Sequence, residues 1–215
     1  MPDFSDEVHE AKRELRGTLL AARRSLSATR RAEAAASVQA ELTSLVRRLR
    51  PARMTAYVPV ASEPGGPDLP EVLRAALPDD AELLLPVLAD DLDLDWAAHT
   101  DRESLRAAGR GLREPTGPPW GRAAVAGADL VVVPALAVDR RGVRLGRGGG
   151  SYDRALARVP ATVPTVALLH DGELVPAVPA DPHDRPVHCV ITPGDGLVAV
   201  PGVGPGASAG RIRVR

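Results

Sequence analysis

The segment that most restricts how this chain can fold runs from Leu130 to Arg158. An apolar run, Leu130 to Val133, reads as a buried strand. It is followed by a stretch with four glycines in five positions, Gly146, Gly148, Gly149 and Gly150, and then by Ser151-Tyr152-Asp153-Arg154 and a helix-forming Ala155 to Arg158. Strand, glycine loop and helix start are the parts from which a backbone builds a pocket for phosphate. Glycine lets the chain pass close to an anion, and a helix start turns free N–H groups toward it. Arg144 and Arg147 add two cations to the loop. Asp153 is a hard oxygen donor of the kind that holds a divalent metal bridging phosphates. A flexible surface turn would also use glycines, but the preceding strand, the two arginines and the Tyr-Asp pair favour a nucleotide triphosphate site. No Gly-x-x-x-x-Gly-Lys-Ser/Thr sequence occurs, and no Gly-x-Gly-x-x-Gly follows the first strand, so the loop is of neither of those types.

The rest of the chain reads as alternating helices and short apolar strands. Val8, Ala11, Leu15, Leu19, Ala22 and Leu26 recur at helical spacing and predict a first helix over 5–26. Lys12 and Arg16, four apart, share one of its faces. Ser27 can cap a second helix, carrying Val38, Leu42, Leu45 and Leu49 and stopped by Pro51. Strands are expected over 54–58, 83–88, 92–96, 165–169 and 189–192, and helices over 69–77 and 103–108. The pattern predicts an α/β fold: a three-layer, Rossmann-like sheet of mostly parallel strands with helices on both faces. Ligands of such sheets sit beyond the C-terminal ends of the strands, where Glu63 and the glycine loop both fall. One domain is expected over 1–195. The Gly- and Pro-rich stretch 196–215 is expected to be a disordered tail.

Composition excludes several classes. With 215 residues the chain can bury a real core, and a net charge of −1 gives no general pull toward nucleic acid or membrane surface. No apolar run is long enough to cross a bilayer, and the charged N-terminus has no secretory core. The lone Cys189 excludes an internal disulfide framework and suits a reducing cytoplasm. Lys12 is the single lysine among 27 basic residues, and one lysine kept in so arginine-rich a chain is a candidate for reaching a phosphate oxygen as a point charge. A solvated helix position is the alternative for it. The aromatic residues are only Phe4, Tyr57, Trp96, Trp120 and Tyr152, so Tyr152 beside the loop is a candidate for stacking on a flat ligand or for plain ring packing. His183, His188 and Cys189 could suggest zinc. However, neighbouring side chains on a strand point to opposite faces, and structural zinc sites generally need four good ligands.

Together these residues resemble the 5-formyltetrahydrofolate cyclo-ligase family. The likeness is densest over Pro134 to Arg154, similar to that family's Pro-x-Leu-Ala-aromatic-Asp, Gly-x-Arg-Leu-Gly-x-Gly-x-Gly and Tyr-Tyr-Asp-Arg run. It continues, in family order, in Lys12-Arg13-Glu14-Leu15-Arg16, Ser62-Glu63, Gly111 to Pro115, and His183-Asp184 ahead of Val190-Ile191-Thr192. Ser151 stands where the family usually has a first aromatic, Val138 where it usually has Phe, and His188 where an acid is common. The fold implied is of the sugar-phosphate isomerase / CoA-transferase type.

The resemblance implies conversion of 5-formyltetrahydrofolate to 5,10-methenyltetrahydrofolate with ATP and Mg²⁺, through a phosphorylated formyl (iminophosphate) intermediate. It implies phosphate charge carried by Lys12, Arg144 and Arg147. The nucleotide would lie against Lys12, Arg13, Glu14, Leu15, Arg16 and the run from Arg144, Leu145 and Gly146 through Arg147, Gly148, Gly149 and Gly150 to Ser151 and Tyr152. Val58, Glu63, Trp96 and Tyr152 would face the folate, and Asp153 and Asp184 the metal. The expected partners are small molecules, reduced folate and ATP, with no nucleic acid or membrane, for a cytoplasmic monomer. The alternatives are a non-catalytic folate- or nucleotide-binding protein of the same fold, or another small-molecule phosphotransferase.

Overall fold

The structure is a computed structural model that describes residues 4–181 and 184–201. Two long helices open the chain, α1 (Phe4–Ser25) and α2 (Ala28–Leu49). Asp6 and Glu7 in the first turn of α1, and Arg23 and Arg24 in its last, complement the helix dipole. Ser27 caps α2 by accepting from the Arg30 amide at 3.2 Å, and Arg50 ends it in the left-handed region (φ 48°) ahead of Pro51.

A seven-stranded sheet follows, made of β1 (Arg53–Thr55), β2 (Glu82–Leu88), β3 (Leu94–Ala98), β6 (Leu130–Pro134), β9 (Thr165–Leu168), β11 (Cys189–Thr192) and β12 (Gly196–Ala199). Its order is β12-β11-β9-β6-β1-β2-β3. The four inner pairings are parallel, and only the edge strands β3 and β12 run antiparallel to their neighbours. The apolar strands alternate cleanly between two cores. Leu130 and Val132 of β6, Val166 and Leu168 of β9, and Cys189 and Ile191 of β11 face α2 and the helix α3 (Leu69–Ala76). Val131, Val133, Ala167 and Val190 face the other way, toward Trp96 and the short helix α4 (Ser151–Leu156). Both faces are apolar, as a sheet covered on both sides requires. The expected α/β class with a mostly parallel, helix-flanked sheet is what the chain adopts.

Three local expectations change. The segment expected as a helix over 103–108 is a 3₁₀ turn, Arg102–Ser104, closed by a reciprocal Asp101–Ser104 cap, and then β4 (Leu105–Ala107) paired with β5 (Arg113–Pro115). Residues 196–199, assigned to the tail, form β12, which covers the edge of β11 and packs Leu197 and Val198 onto the two cores. Residues 202–215 of that tail lie outside the described residues. The glycine loop does not leave β6 directly. A small sheet intervenes, with β7 (Ala137–Asp139) antiparallel to β8 (Arg144–Leu145) and parallel to β10 (Leu174–Val175).

Candidate active site

Asp139 turns the chain toward the loop. Its fully buried carboxylate accepts from the amides of Arg141 (2.8 Å), Val143 (3.1 Å) and Val178 (3.1 Å), which closes the β7–β8 hairpin and ties it to the segment after β10. Burial alone would raise its pKa; these N–H groups and the Arg141 guanidinium outweigh that and hold it below the ordinary aspartate value. The hairpin delivers Arg144 and then Gly146 to Gly150. Gly148 (φ 103°) and Gly150 (φ 66°) occupy backbone conformations that L side chains rarely adopt. A Cβ on Gly150 would also come within 3.0 Å of Arg154 Nη1. From across the site the Arg16 Nε donates to the Gly146 carbonyl at 2.9 Å, joining α1 to the loop. Helix α4 is only six residues long, so it lends the loop little dipole and the side chains carry most of the charge.

The loop borders a cavity of about 610 Å³. On its α1 side the Lys12 Nζ donates to Asp181 Oδ2 (2.6 Å) and Asp184 Oδ2 (2.7 Å), and the Asp181 amide donates to Asp184 Oδ2 (2.8 Å). Burial works to lower the Lys12 pKa, but the two aspartates outweigh it and keep the ammonium charged above its usual range. Lys12 is only 6% exposed, so it does not lie on a solvated helix face. On the loop side Arg144 Nη2 donates to Asp153 Oδ1 (2.7 Å), its Nη1 to the Pro134 carbonyl (3.2 Å), and its guanidinium lies 5.8 Å over the Tyr152 ring.

Opposite, Glu63 sits on a loop beyond β1. Its Oε2 accepts from the Val60 amide (2.9 Å) and its Oε1 from Arg147 Nη1 (3.3 Å). Burial pushes its carboxyl pKa up, against the pull of the Val60 amide and Arg147. Burial and then the Glu63 charge raise both tyrosine phenols nearby, Tyr57 and Tyr152, so both remain protonated donors. The Tyr57 hydroxyl donates to the Pro64 carbonyl at 2.8 Å. Behind this loop, Arg23 makes a buried two-pronged pair with Glu173 (2.6 and 2.7 Å) and donates to the Ala135 carbonyl (2.6 Å). Glu173 accepts from the His170 amide (2.7 Å), and the His170 ring meets the Ser62 carbonyl (2.9 Å).

The structure therefore brings Lys12, Arg16, Val58, Glu63, Arg144, Leu145, Gly146 to Gly150, Arg147, Ser151, Tyr152, Asp153 and Asp184 to one cavity. Four expected residues are elsewhere. Trp96, expected against substrate, is fully buried in the core beside α4, because β3 turns that side chain into the sheet face. Arg13 and Glu14 are exposed on the far side of α1, with Arg13 paired to Glu10, and Leu15 packs toward Leu19 and Leu136. Of the departures from the family pattern, Val138 is buried in the core, whereas Ser151 borders the cavity. Cys189 faces the α2 core while His188 meets Thr165 through Nδ1 (2.7 Å); the two point apart, and His183 lies outside the described residues. Among the cavity residues that were not anticipated are Arg23, Arg110, Arg113 and Asp181. Lys12, Arg16 and Arg23 fall four and seven apart, a helical spacing that would have found the first of these.

Residues 8–193 match the 5-formyltetrahydrofolate cyclo-ligase family. The chain belongs to this family. That makes it a ligase and bears out the resemblance seen in its motifs. It is 43% identical to a 5-formyltetrahydrofolate cyclo-ligase of Mycolicibacterium smegmatis over 196 residues, covering 88% of this chain and 97% of that protein. A 5-formyltetrahydrofolate cyclo-ligase of Escherichia coli is 42% identical over 67 residues, 30% of this chain and 36% of that protein. Among solved structures, Aquifex aeolicus 5,10-methenyltetrahydrofolate synthetase superposes with a TM-score of 0.73 at 28% identity, covering 88% of this chain and 93% of that one. The Mycoplasma pneumoniae 5,10-methenyltetrahydrofolate synthetase shares the fold, with a TM-score of 0.65 at 18% identity, over 83% and 96%. Among the described residues no helix is long and apolar enough to cross a membrane.

Proposed function

We propose that the cavity binds ATP and 5-formyltetrahydrofolate side by side and closes the folate to 5,10-methenyltetrahydrofolate, releasing ADP and phosphate. The observation that carries this reading is the convergence of two unlike half-sites on one cavity. One holds Lys12, Arg16, Arg144 and the glycine loop; the other holds Glu63, Val58 and Tyr152. A protein that only bound folate would have no use for the first, and a simple phosphotransferase none for a half-buried glutamate whose charge is felt by two protonated tyrosines.

The chemistry asks for positioning and charge neutralisation more than covalent help. The formyl oxygen on nitrogen 5 attacks the terminal phosphate of ATP, and ADP leaves. The resulting iminophosphate makes a good leaving group of an amide-like oxygen. Nitrogen 10 attacks the formyl carbon, a proton is lost, and phosphate departs. Lys12, Arg16, Arg144 and Arg147 offset charge on the transferred group, and the loop amides border it. Glu63 accepts from N–H groups of the pterin, and the Tyr152 ring borders the flat ring system. The donor set suits Mg²⁺, which takes one or two carboxylates with phosphate and water. Asp153 spends Oδ1 on Arg144 and Asp184 spends Oδ2 on Lys12, which leaves one oxygen of each uncommitted among the described residues. Magnesium, when bound, supplies positive charge to the phosphates during transfer.

The test is a single turnover of 5-formyltetrahydrofolate with excess enzyme and Mg-ATP, followed by methenyl absorbance and phosphate release. Equal amounts of both products are expected. Folate binding without either product would leave a binding protein. ADP formation with other acceptors but not with this one would leave a different phosphotransferase.

A further inference from the structure

Most cations on the cavity wall already hold a partner. Lys12, Arg23, Arg144 and Arg147 are each paired with a carboxylate, and Arg16 with the Gly146 carbonyl. Arg110 and Arg113 differ: they line the same cavity, and among the described residues no carboxylate stands within ion-pair reach of either. Both sit on the β4–β5 ribbon, which the neighbouring Glu114 fastens to the main sheet by accepting from the Leu88 amide at 3.0 Å. Arg110 is held in the left-handed region (φ 61°, ψ 23°) between Gly109 and Gly111, an uncommon place for a residue with a side chain.

The ribbon is fastened where β2 ends and β3 begins, and Pro86, Leu88, Leu94 and Leu112 make that wall of the cavity apolar. This is a different region from the Lys12 and glycine-loop half, which is built from α1 and the β8–α4 connection. Two uncommitted guanidinium groups beside an apolar strip complement an aromatic body that ends in carboxylates. On the folate reading above, the substrate has that form: a pterin, an aminobenzoyl ring and a glutamate with two carboxylates. We propose that Arg110 and Arg113 are the subsite for the glutamate carboxylates, with the apolar strip receiving the aminobenzoyl ring. The phosphates of ATP are the other anions present, so the experiment has to separate the two.

The measurement compares 5-formyltetrahydrofolate with an analogue in which methylamine replaces the glutamate, so that the amide stays and both carboxylates go. The wild-type protein and an Arg110→Gln/Arg113→Gln double variant are each tested with both compounds, and KM for Mg-ATP is recorded throughout. Both side chains are at least partly exposed, and a thermal melt verifies that the variant is folded. Wild type is expected to prefer the glutamate-bearing compound in kcat/KM by roughly tenfold to a hundredfold, the worth of one or two charge-assisted hydrogen bonds. In the variant the preference falls to near one, through KM for the folate. A variant that keeps the preference overturns the proposal, as does a wild type that shows none. A rise in KM for Mg-ATP instead overturns it by assigning the pair to phosphate. If the wild type forms no methenyl product from either compound, the reading of the whole site falls first, and it does so before any variant is made.

Discussion

Lys12 shows how much one residue's surroundings matter. As the single lysine of the chain it is conspicuous in the sequence, but its state follows from Asp181 and Asp184, which hold its ammonium at 2.6 and 2.7 Å on the cavity wall. Lys12→Met is expected to lower single-turnover rates roughly 100-fold, the scale of losing one preorganised charge at a reacting phosphate. It should also lower the melting temperature, because two neighbouring aspartates lose their shared counter-ion; a variant with the wild-type rate would remove Lys12 from the chemistry. Glu63 offers the opposite trade. Its folded pKa is raised, so at neutral pH the ionised group costs the fold stability, and that cost vanishes as pH falls through the folded pKa toward the ordinary value of 4.5. Glu63→Gln should therefore melt higher than wild type at pH 7, lose that advantage near pH 4, and bind the folate more weakly at pH 7. Melting curves at the two pH values and a folate titration check all three points.

At the scale of elements, the six-residue helix that follows the glycine loop is fixed from behind by Asp93. This carboxylate is 4% exposed and accepts from Arg158 (2.6 and 3.0 Å) and Arg122 (3.2 Å), with the Leu94 amide adding a fourth bond (2.8 Å). Arg154 lies 3.9 Å from Asp93 and donates to the carbonyls of Leu92 (2.7 Å) and Gly149 (3.2 Å), so the anchor reaches the loop itself. The Arg158 hydrogen bonds lower the Asp93 pKa most, ahead of the opposing effect of burial. Its contribution is thus present above the ordinary aspartate pKa and lost as pH falls through the lower folded value. Asp93→Asn should cost roughly 2 kcal/mol at pH 7, below the figure for a fully buried pair because the arginines are partly exposed, and less in acid. It should also raise KM for Mg-ATP more than KM for the folate. Denaturant titrations at two pH values and initial rates test this. Equal changes in both KM values would mean that Asp93 holds the fold without holding the loop.

At the scale of the whole molecule, the long-range pairings complete what local segments begin. Strand β12 closes the β11 edge and adds two half-buried apolar side chains. A chain ending at Thr192 is therefore expected to lose on the order of 3 kcal/mol and to aggregate through the opened edge, measured by denaturant midpoint and light scattering. Retention of full stability would show that β12 is incidental. Much of the architecture was legible in the chain alone, because helix stripes, apolar strand runs and caps are written in neighbouring residues. The two-core sheet, α1 with Lys12 and Arg16, the Glu63 loop and the glycine loop could all be read that way. Other features depended on partners far along the chain. Trp96 went to the core and not to the substrate because the pleat of β3 decided its face. The stretch 105–107 became a strand because β5 was there to pair with it. Arg110, Arg113 and Asp181 joined the cavity because packing carried their elements there. Local pattern specifies what a segment can form; which side chains meet is set by how the sheet is ordered and covered, and no short stretch of sequence contains that information.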